Sequence, residues 1–187
     1  MARPLNEDRR NALLIAAMEL VAENGLGAST ADIAKRAGVP NGSLFTYFET
    51  KSDLLNALYL ALKQHLTEQV LRDLPTGDDK AALRHLWTVW IDWGLQHAPR
   101  RKALAQLSVS DQISDVSRRT ASEFAGPTVE LVVRISATGA LRGAPARYIG
   151  GLVEAAVGVT TEFISAHPEN AEAIADAGFE ALWKSLS

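Results

Sequence analysis

Apolar positions recur along this 187-residue chain at helical spacing, and nowhere do they alternate over any length as a strand would require. In residues 9–25, RRNALLIAAMELVAENG, the side chains Leu13, Ala16, Ala17, Leu20 and Val21 share one helical face, and Gly25 ends the run with a residue that tolerates positive φ. Ser29 with Asp32 three residues on forms a capping-box-like start for a second, two-turn helix, TADIAKRAG, which stops at Gly38. A tight turn follows, then the short NGSLFTYF from Asn41, where Leu44 and Phe48 can face inward together while Asn41, Ser43, Thr46 and Tyr47 look outward. Thr50 and Asp53 repeat the cap pattern and open a long fourth helix with Leu55, Leu58, Leu62, Leu66 and Val70 in one stripe, broken at Pro75-Thr76-Gly77.

Beyond that break, residues 78–102 read as a helix apolar nearly all round and bounded by Pro99, a pattern that suits burial on two sides. A short helix, KALAQLSV, comes next, then a polar segment that meets Gly126-Pro127, where a kink is predicted, before TVELVVRISATGAL. Two further helices begin near Pro145 and Pro168, as proline suits a helix's first turn. The pattern predicts an all-α fold of about nine helices, with its one boundary near residues 49–52: a small module, 1–51, and a larger helical part, 52–187.

Composition narrows the function. At 47% hydrophobic residues the chain can bury an ordinary core. No apolar run is read as reaching the roughly 20 residues that cross a bilayer, and the charged start MARPLNEDRR has no signal-like apolar middle, so a cytoplasmic chain is expected. Zero cysteines exclude disulfides and thiolate chemistry. His65, His85, His97 and His167 are scattered without ligand spacing, so neither a metal nor a cofactor is expected. The formal net charge of −3 argues against coating nucleic acid by bulk charge; residues 1–51 carry six basic and six acidic side chains, so any DNA contact must be local. Ser, His and Asp are present in no spacing that joins nucleophile, base and orienter, and no enzyme is predicted.

Two short helices joined by a glycine turn, the second polar on its outer side, picture a helix-turn-helix, although helical hairpins also occur as plain core. Residues 12–55 make the likeness specific. Ala16-Ala17, Leu20, Gly25, Ser29-Thr30, Ile33-Ala34, Ala37-Gly38-Val39, Gly42, Leu44, Phe45, Tyr47-Phe48, Lys51 and Leu54 resemble, at fixed spacing, the DNA-binding segment of the TetR (tetracycline-repressor) family of bacterial regulators. The resemblance covers about a quarter of the chain.

It implies roles residue by residue. Thr30 at the start of helix two meets a phosphate, since Ser29 already offers the cap. Asn41, Ser43 and Thr46 reach base edges, with Asn suited to adenine and the Thr methyl to thymine; Gly42 lets the backbone approach. Tyr47 is the aromatic that contacts phosphate or base, and Lys51 the phosphate-binding lysine. Phe45 departs from the more usual tyrosine and loses a phosphate hydrogen bond, Pro40 stands where a capping hydroxyl is common, and Ala31 is bland where a base reader can sit. Arg3, Arg9 and Arg10 read equally as a phosphate-tracking arm and as a disordered tail.

For the larger part the resemblance implies a ligand-binding and dimerisation domain: a small-molecule pocket, a two-fold homodimer through the last two helices, and recognition helices about 34–36 Å apart on a near-palindrome. Trp87, Trp90 and Ile91 share a face of helix five and are pocket candidates with Phe124, though a tryptophan stripe also reads as core. The expected effector is apolar or aromatic. Small residues at Gly150, Gly151, Ala155, Ala156 and Gly158 suit a dimer seam and an internal core contact equally well, and Phe179, Leu182, Trp183 and Leu186 give the last helix apolar surface for a dimer. The function expected is a ligand-responsive repressor released from its operator by a small molecule. The second reading is a helical module that binds a small molecule or protein and no longer binds DNA, favoured by the neutral residues 1–51, Phe45 and Ala31.

Overall fold

The computed structural model describes residues 7–187, the side chain of Asn41 excepted; Arg3 lies outside the described residues. They form ten α-helices: α1 Glu7–Asn24, α2 Thr30–Arg36, α3 Leu44–Tyr47, α4 Lys51–Leu71, α5 Asp79–Gln96, α6 Ala98–Ser108, α7 Asp115–Phe124, α8 Gly126–Ile135, α9 Ala146–Ala166 and α10 Ala171–Leu186. Short 3-10 turns at Gly25–Gly27, Asn41–Ser43 and Pro168–Asn170 lead into α2, α3 and α10. No strand occurs among the described residues, and the all-α class holds.

The count exceeds the expected nine because the predicted kink at Gly126-Pro127 is a break. Pro127 has no N–H to continue α7 and sits in the first turn of α8, while Ala125 ends the ladder and its carbonyl accepts from Thr128 N and Oγ1 at 2.9 and 2.8 Å. Pro99 acts in the same way, starting α6 at Ala98.

The helices gather into two compact units. The first joins the described residues as far as Gln64 with His97–Ala121. Its core takes Leu13, Ala16, Ala17, Leu20 and Val21 of α1, the face its sequence predicts, with Ile33, Leu44, Phe48, Leu54, Leu55, Leu104 and Leu107. α6 packs along α1, and Gln106 Nε2 donates to the Val21 carbonyl at 3.1 Å. Asn56 of α4 donates to the Gln112 carbonyl at 2.9 Å and accepts from Ser114 N at 2.9 Å, clipping the loop after α6 to α4. The second unit, His65–Gln96 with Ser122–Ser187, packs α5, α8, α9 and α10 around Leu83, Leu86, Trp87, Leu131, Val153, Val157 and Phe179. Full burial of each such side chain contributes about 1.5–3 kcal/mol. The predicted α4 stripe is buried throughout, from Leu55 to Val70.

Candidate nucleic-acid interface

The segment from α2 to α3 is held by local hydrogen bonds that its sequence specifies. Ser29 Oγ accepts from Asp32 N at 3.0 Å and donates to Asp32 Oδ2 at 2.6 Å, which caps α2 as expected. At the other end Gly38 has φ +68°; Val39 N donates to the Ala34 carbonyl at 3.0 Å and Gly38 N to that of Lys35 at 3.2 Å, a pairing that needs the left-handed conformation glycine adopts without strain. Pro40 then supplies a carbonyl, in place of a side-chain cap, to Ser43 N at 2.8 Å. The seven residues Asn41–Tyr47 therefore begin as a 3-10 turn and finish as one turn of α-helix. Leu44 and Phe48 anchor this element from inside, the Arg10 guanidinium standing 5.4 Å from the Phe48 ring centroid. Thr50 and Asp53 make the second capping box: Thr50 N donates to Asp53 Oδ2 at 3.0 Å, and Asp53 N to Thr50 Oγ1 at 3.1 Å.

Seen from solvent, Gly42 and Thr46 are exposed, Phe45 is 52% exposed, and Thr30, Ser43 and Tyr47 are half-buried. Nothing lies within 4 Å of the Cβ position of Gly42, so its backbone faces open space. Thr30 opens α2 beside a cap made by Ser29. The side chain of Asn41 lies outside the described residues. Lys51 is less open than its sequence suggests: Nζ donates to the Leu26 carbonyl at 2.6 Å, so the ammonium sits at the turn after α1. Arg9 and Arg10 lie on neither arm nor tail, since α1 begins at Glu7 and includes both.

Arg36 of α2 is paired with carboxylates of α1. Arg36 donates to Glu23 at 2.9 and 3.0 Å and to Glu19 at 3.3 Å. These hydrogen bonds and the opposed charges hold the Glu23 carboxyl below its ordinary value and raise the guanidinium further above its own. Arg36 is thereby committed to α1, which sequence spacing does not reveal.

In the second unit the predicted pocket residues separate by burial. Trp87 is fully buried: its Nε1 donates to the Ala175 carbonyl at 3.0 Å and its ring meets Phe179 edge-on at 6.4 Å between centroids. Ile91 is buried, whereas Trp90 and Phe124 are half-buried. Two open clefts lie elsewhere in this unit: one of about 420 Å³ beside Pro145, Arg147, Tyr148, Gly151 and Leu152, and a polar one of about 740 Å³ beside Asp78, Asp79, Lys80, Arg134 and Trp183.

The apolar residues named on α10 turn inward: Phe179, Leu182 and Leu186 are buried within the unit and Trp183 is half-buried. The open apolar face belongs to α9 instead, where Tyr148, Leu152, Val159 and Phe163 are exposed with Gly151, Ala155 and Gly158. The spacing 148, 152, 155, 159, 163 was a sequence signal for it. α9 is also long and apolar enough by composition to cross a membrane, contrary to the sequence expectation. Its inward face, Ile149, Val153, Val157, Thr160, Thr161 and Ile164, packs in the core with α5, α8 and α10.

Residues 13–58 match the family described as bacterial regulatory proteins, tetR family. An 80-residue stretch is 46% identical to the HTH-type transcriptional regulator BetI of Yersinia pestis (strain Pestoides F); the stretch covers 41% of this chain and only 40% of BetI's length. Over nearly the whole chain, the fold is similar to a solved tetR family transcription regulator from Shewanella sp. PV-4, with TM-score 0.86 and 27% identity, covering 95% of this chain and 97% of that one. It is similar as well to the TetR-like regulator LfrR from Mycobacterium smegmatis, solved in complex with proflavine, with TM-score 0.69, 22% identity and coverage of 96% and 98%.

Proposed function

We propose that this chain, whose residues 13–58 match the tetR family of bacterial regulatory proteins, is a member of that family and a cytoplasmic, ligand-responsive transcriptional repressor that binds a near-palindromic operator as a homodimer. The observation that carries the reading is the element Asn41–Tyr47: within the family-matching segment, it is pinned from inside by Leu44 and leaves Gly42, Phe45 and Thr46 in solvent. Residues 1–51 are assigned to DNA and 52–187 to effector binding and dimerisation. Thr30 and Lys51 are assigned to phosphates, Asn41, Gly42, Ser43, Phe45 and Thr46 to the groove, and Tyr47 to either.

The effector is a small apolar or aromatic molecule; the proflavine held by the LfrR structure is an aromatic compound of that class. Trp90 and Phe124, half-buried, are its most accessible candidate contacts, with Trp87 and Ile91 as buried walls. Effector binding favours a conformation with lower operator affinity, and by reciprocity the operator lowers effector affinity. The dimer seam is assigned to the last two helices, chiefly the open face of α9.

Footprinting on the DNA flanking its own coding region tests the proposal. A protected near-palindrome whose affinity falls steeply with salt is expected. Absence of a sequence-selective footprint at low salt would leave the helical binding module as the function.

A further inference from the structure

We propose that this chain reads thymine 5-methyl groups through Phe45, so that each operator half-site carries a thymine specified by its methyl rather than by hydrogen bonding. The inference rests on the DNA-binding reading and deepens it.

Single exposed apolar side chains are ordinary on protein surfaces, and exposure alone would mean little. Phe45 differs by its position. It is 52% exposed on the element assigned to the major groove, between Leu44, which is fully buried, and Thr46, which is exposed. Leu44 and Phe48 already anchor the element, so the Phe45 ring is not needed as core. A phenyl ring has no hydroxyl and cannot hydrogen-bond a phosphate or a base.

Two further positions of the segment add no hydrogen-bonding side chain, which leaves the hydrogen bonds to Asn41, Ser43, Thr46 and Tyr47. Gly42, one turn earlier, has no side chain and faces open space, and exposed Ala31 on α2 offers only a methyl. Thr46 adds a methyl beside its hydroxyl. The polar groups that bases present in the major groove are N7, O6, O4, N6 and N4, and the one alkyl group there is the thymine C5-methyl. A ring laid on the polar edges would strip them of water without replacing the hydrogen bond, whereas on the methyl it removes apolar surface from water at both partners. The chemistry of the groove leaves thymine as the matching base.

The test uses the whole 187-residue chain and the operator defined by footprinting. Each thymine is replaced singly by deoxyuridine, which removes the methyl and leaves base pairing unchanged, and affinity is titrated at fixed salt. One thymine per half-site should respond, with about a fourfold loss, the equivalent of roughly 0.8 kcal/mol for one buried methyl or methylene. Replacing both should cost about fifteenfold. Phe45→Ala should bind more weakly and no longer distinguish the two bases, while Phe45→Leu should keep part of the discrimination. Unchanged circular dichroism of both variants checks that the fold is intact.

A footprint that persists while every deoxyuridine is silent would overturn the inference and leave DNA binding standing. The same deoxyuridine penalty in wild type and Phe45→Ala would overturn it as well. A missing footprint would overturn the DNA-binding reading and this inference with it.

Discussion

Gly178→Ala sets two opposed effects against each other in the core of the second unit. Gly178 lies inside α10, where alanine is favoured over glycine by about 0.8–1 kcal/mol. A methyl there, however, would stand 2.8 Å from Trp87 Cζ2, 3.1 Å from its Cη2 and 3.0 Å from Thr160 Oγ1, against an optimum near 3.5–4.0 Å for carbon pairs. The ring cannot easily recede: it is buried, its Nε1 is bonded to the Ala175 carbonyl, and Phe179 sits at its edge. Overpacking of this kind costs about 1–3 kcal/mol, so crowding outweighs propensity by about 1 kcal/mol. For a chain of this size that lowers the melting temperature by about 2–4 °C. The assay is thermal unfolding followed at 222 nm, with wild type and variant at equal protein concentration because the proposed dimerisation would make the midpoint concentration-dependent. A midpoint unchanged or raised would refute the reasoning, since it would mean that Trp87 moves aside at little cost.

Arg36→Ala should raise the Glu23 titration midpoint toward its ordinary 4.5, measurable by NMR of the carboxyl carbon. Because the carboxyl is depressed in the folded state, the pair's stabilisation is present above the unfolded value and is lost as pH falls through the folded one; solvent exposure keeps it small. An unmoved midpoint would contradict the pairing. Lys51→Ala should weaken operator binding about equally across sequences and reduce the salt slope by about one, with slight loss of thermal stability from the missing bond to the Leu26 carbonyl. An unchanged slope would remove Lys51 from the phosphate contacts. Val159→Glu should give a monomer by light scattering with helicity retained, and a persisting dimer would take this part of α9 out of the seam.

What the sequence made legible was what local chemistry decides. Both capping boxes, the glycine stop at Gly38, the inward face of α1 and the α4 stripe follow from residues at most a few turns apart, and each stands where its pattern put it. Partners distant in the chain were not legible. Nothing in the spacing shows that Arg36 turns back to Glu19 and Glu23, that Lys51 reaches the Leu26 carbonyl, or that Asn56 clips the loop at Gln112 and Ser114. Within the short element Asn41–Tyr47, spacing separated the inward Leu44 from its outward neighbours but did not show that Ser43 and Tyr47 are half-buried while Phe45 is open.

The last two helices show how the same limit misdirects an argument. Phe179, Leu182, Trp183 and Leu186 look like surplus apolar surface only if α10 has one neighbour. α10 packs with both α5 and α9, and Trp87 of α5 fills the space that Gly178 leaves open, so Phe179, Leu182 and Leu186 are all buried within the unit. α9 has the opposite history. In sequence its small residues suit a dimer seam and an internal core contact equally, and its partners α5, α8 and α10 cover one side and leave Val159 74% and Phe163 46% exposed. A face of that length, with glycine and alanine among the large side chains, allows a second helix to approach closely. Charge gives the proposed seam its register: Arg147 stands near one end of α9, and Glu162, which already has an interaction of its own, near the other. An antiparallel crossing of two α9 helices about a two-fold axis would bring these unlike charges toward each other, whereas a parallel crossing would oppose like charges. Arg147→Glu should therefore weaken dimerisation, measured by sedimentation equilibrium, and do so less as salt is raised; a dimer indifferent to both the substitution and salt would rule out the antiparallel register.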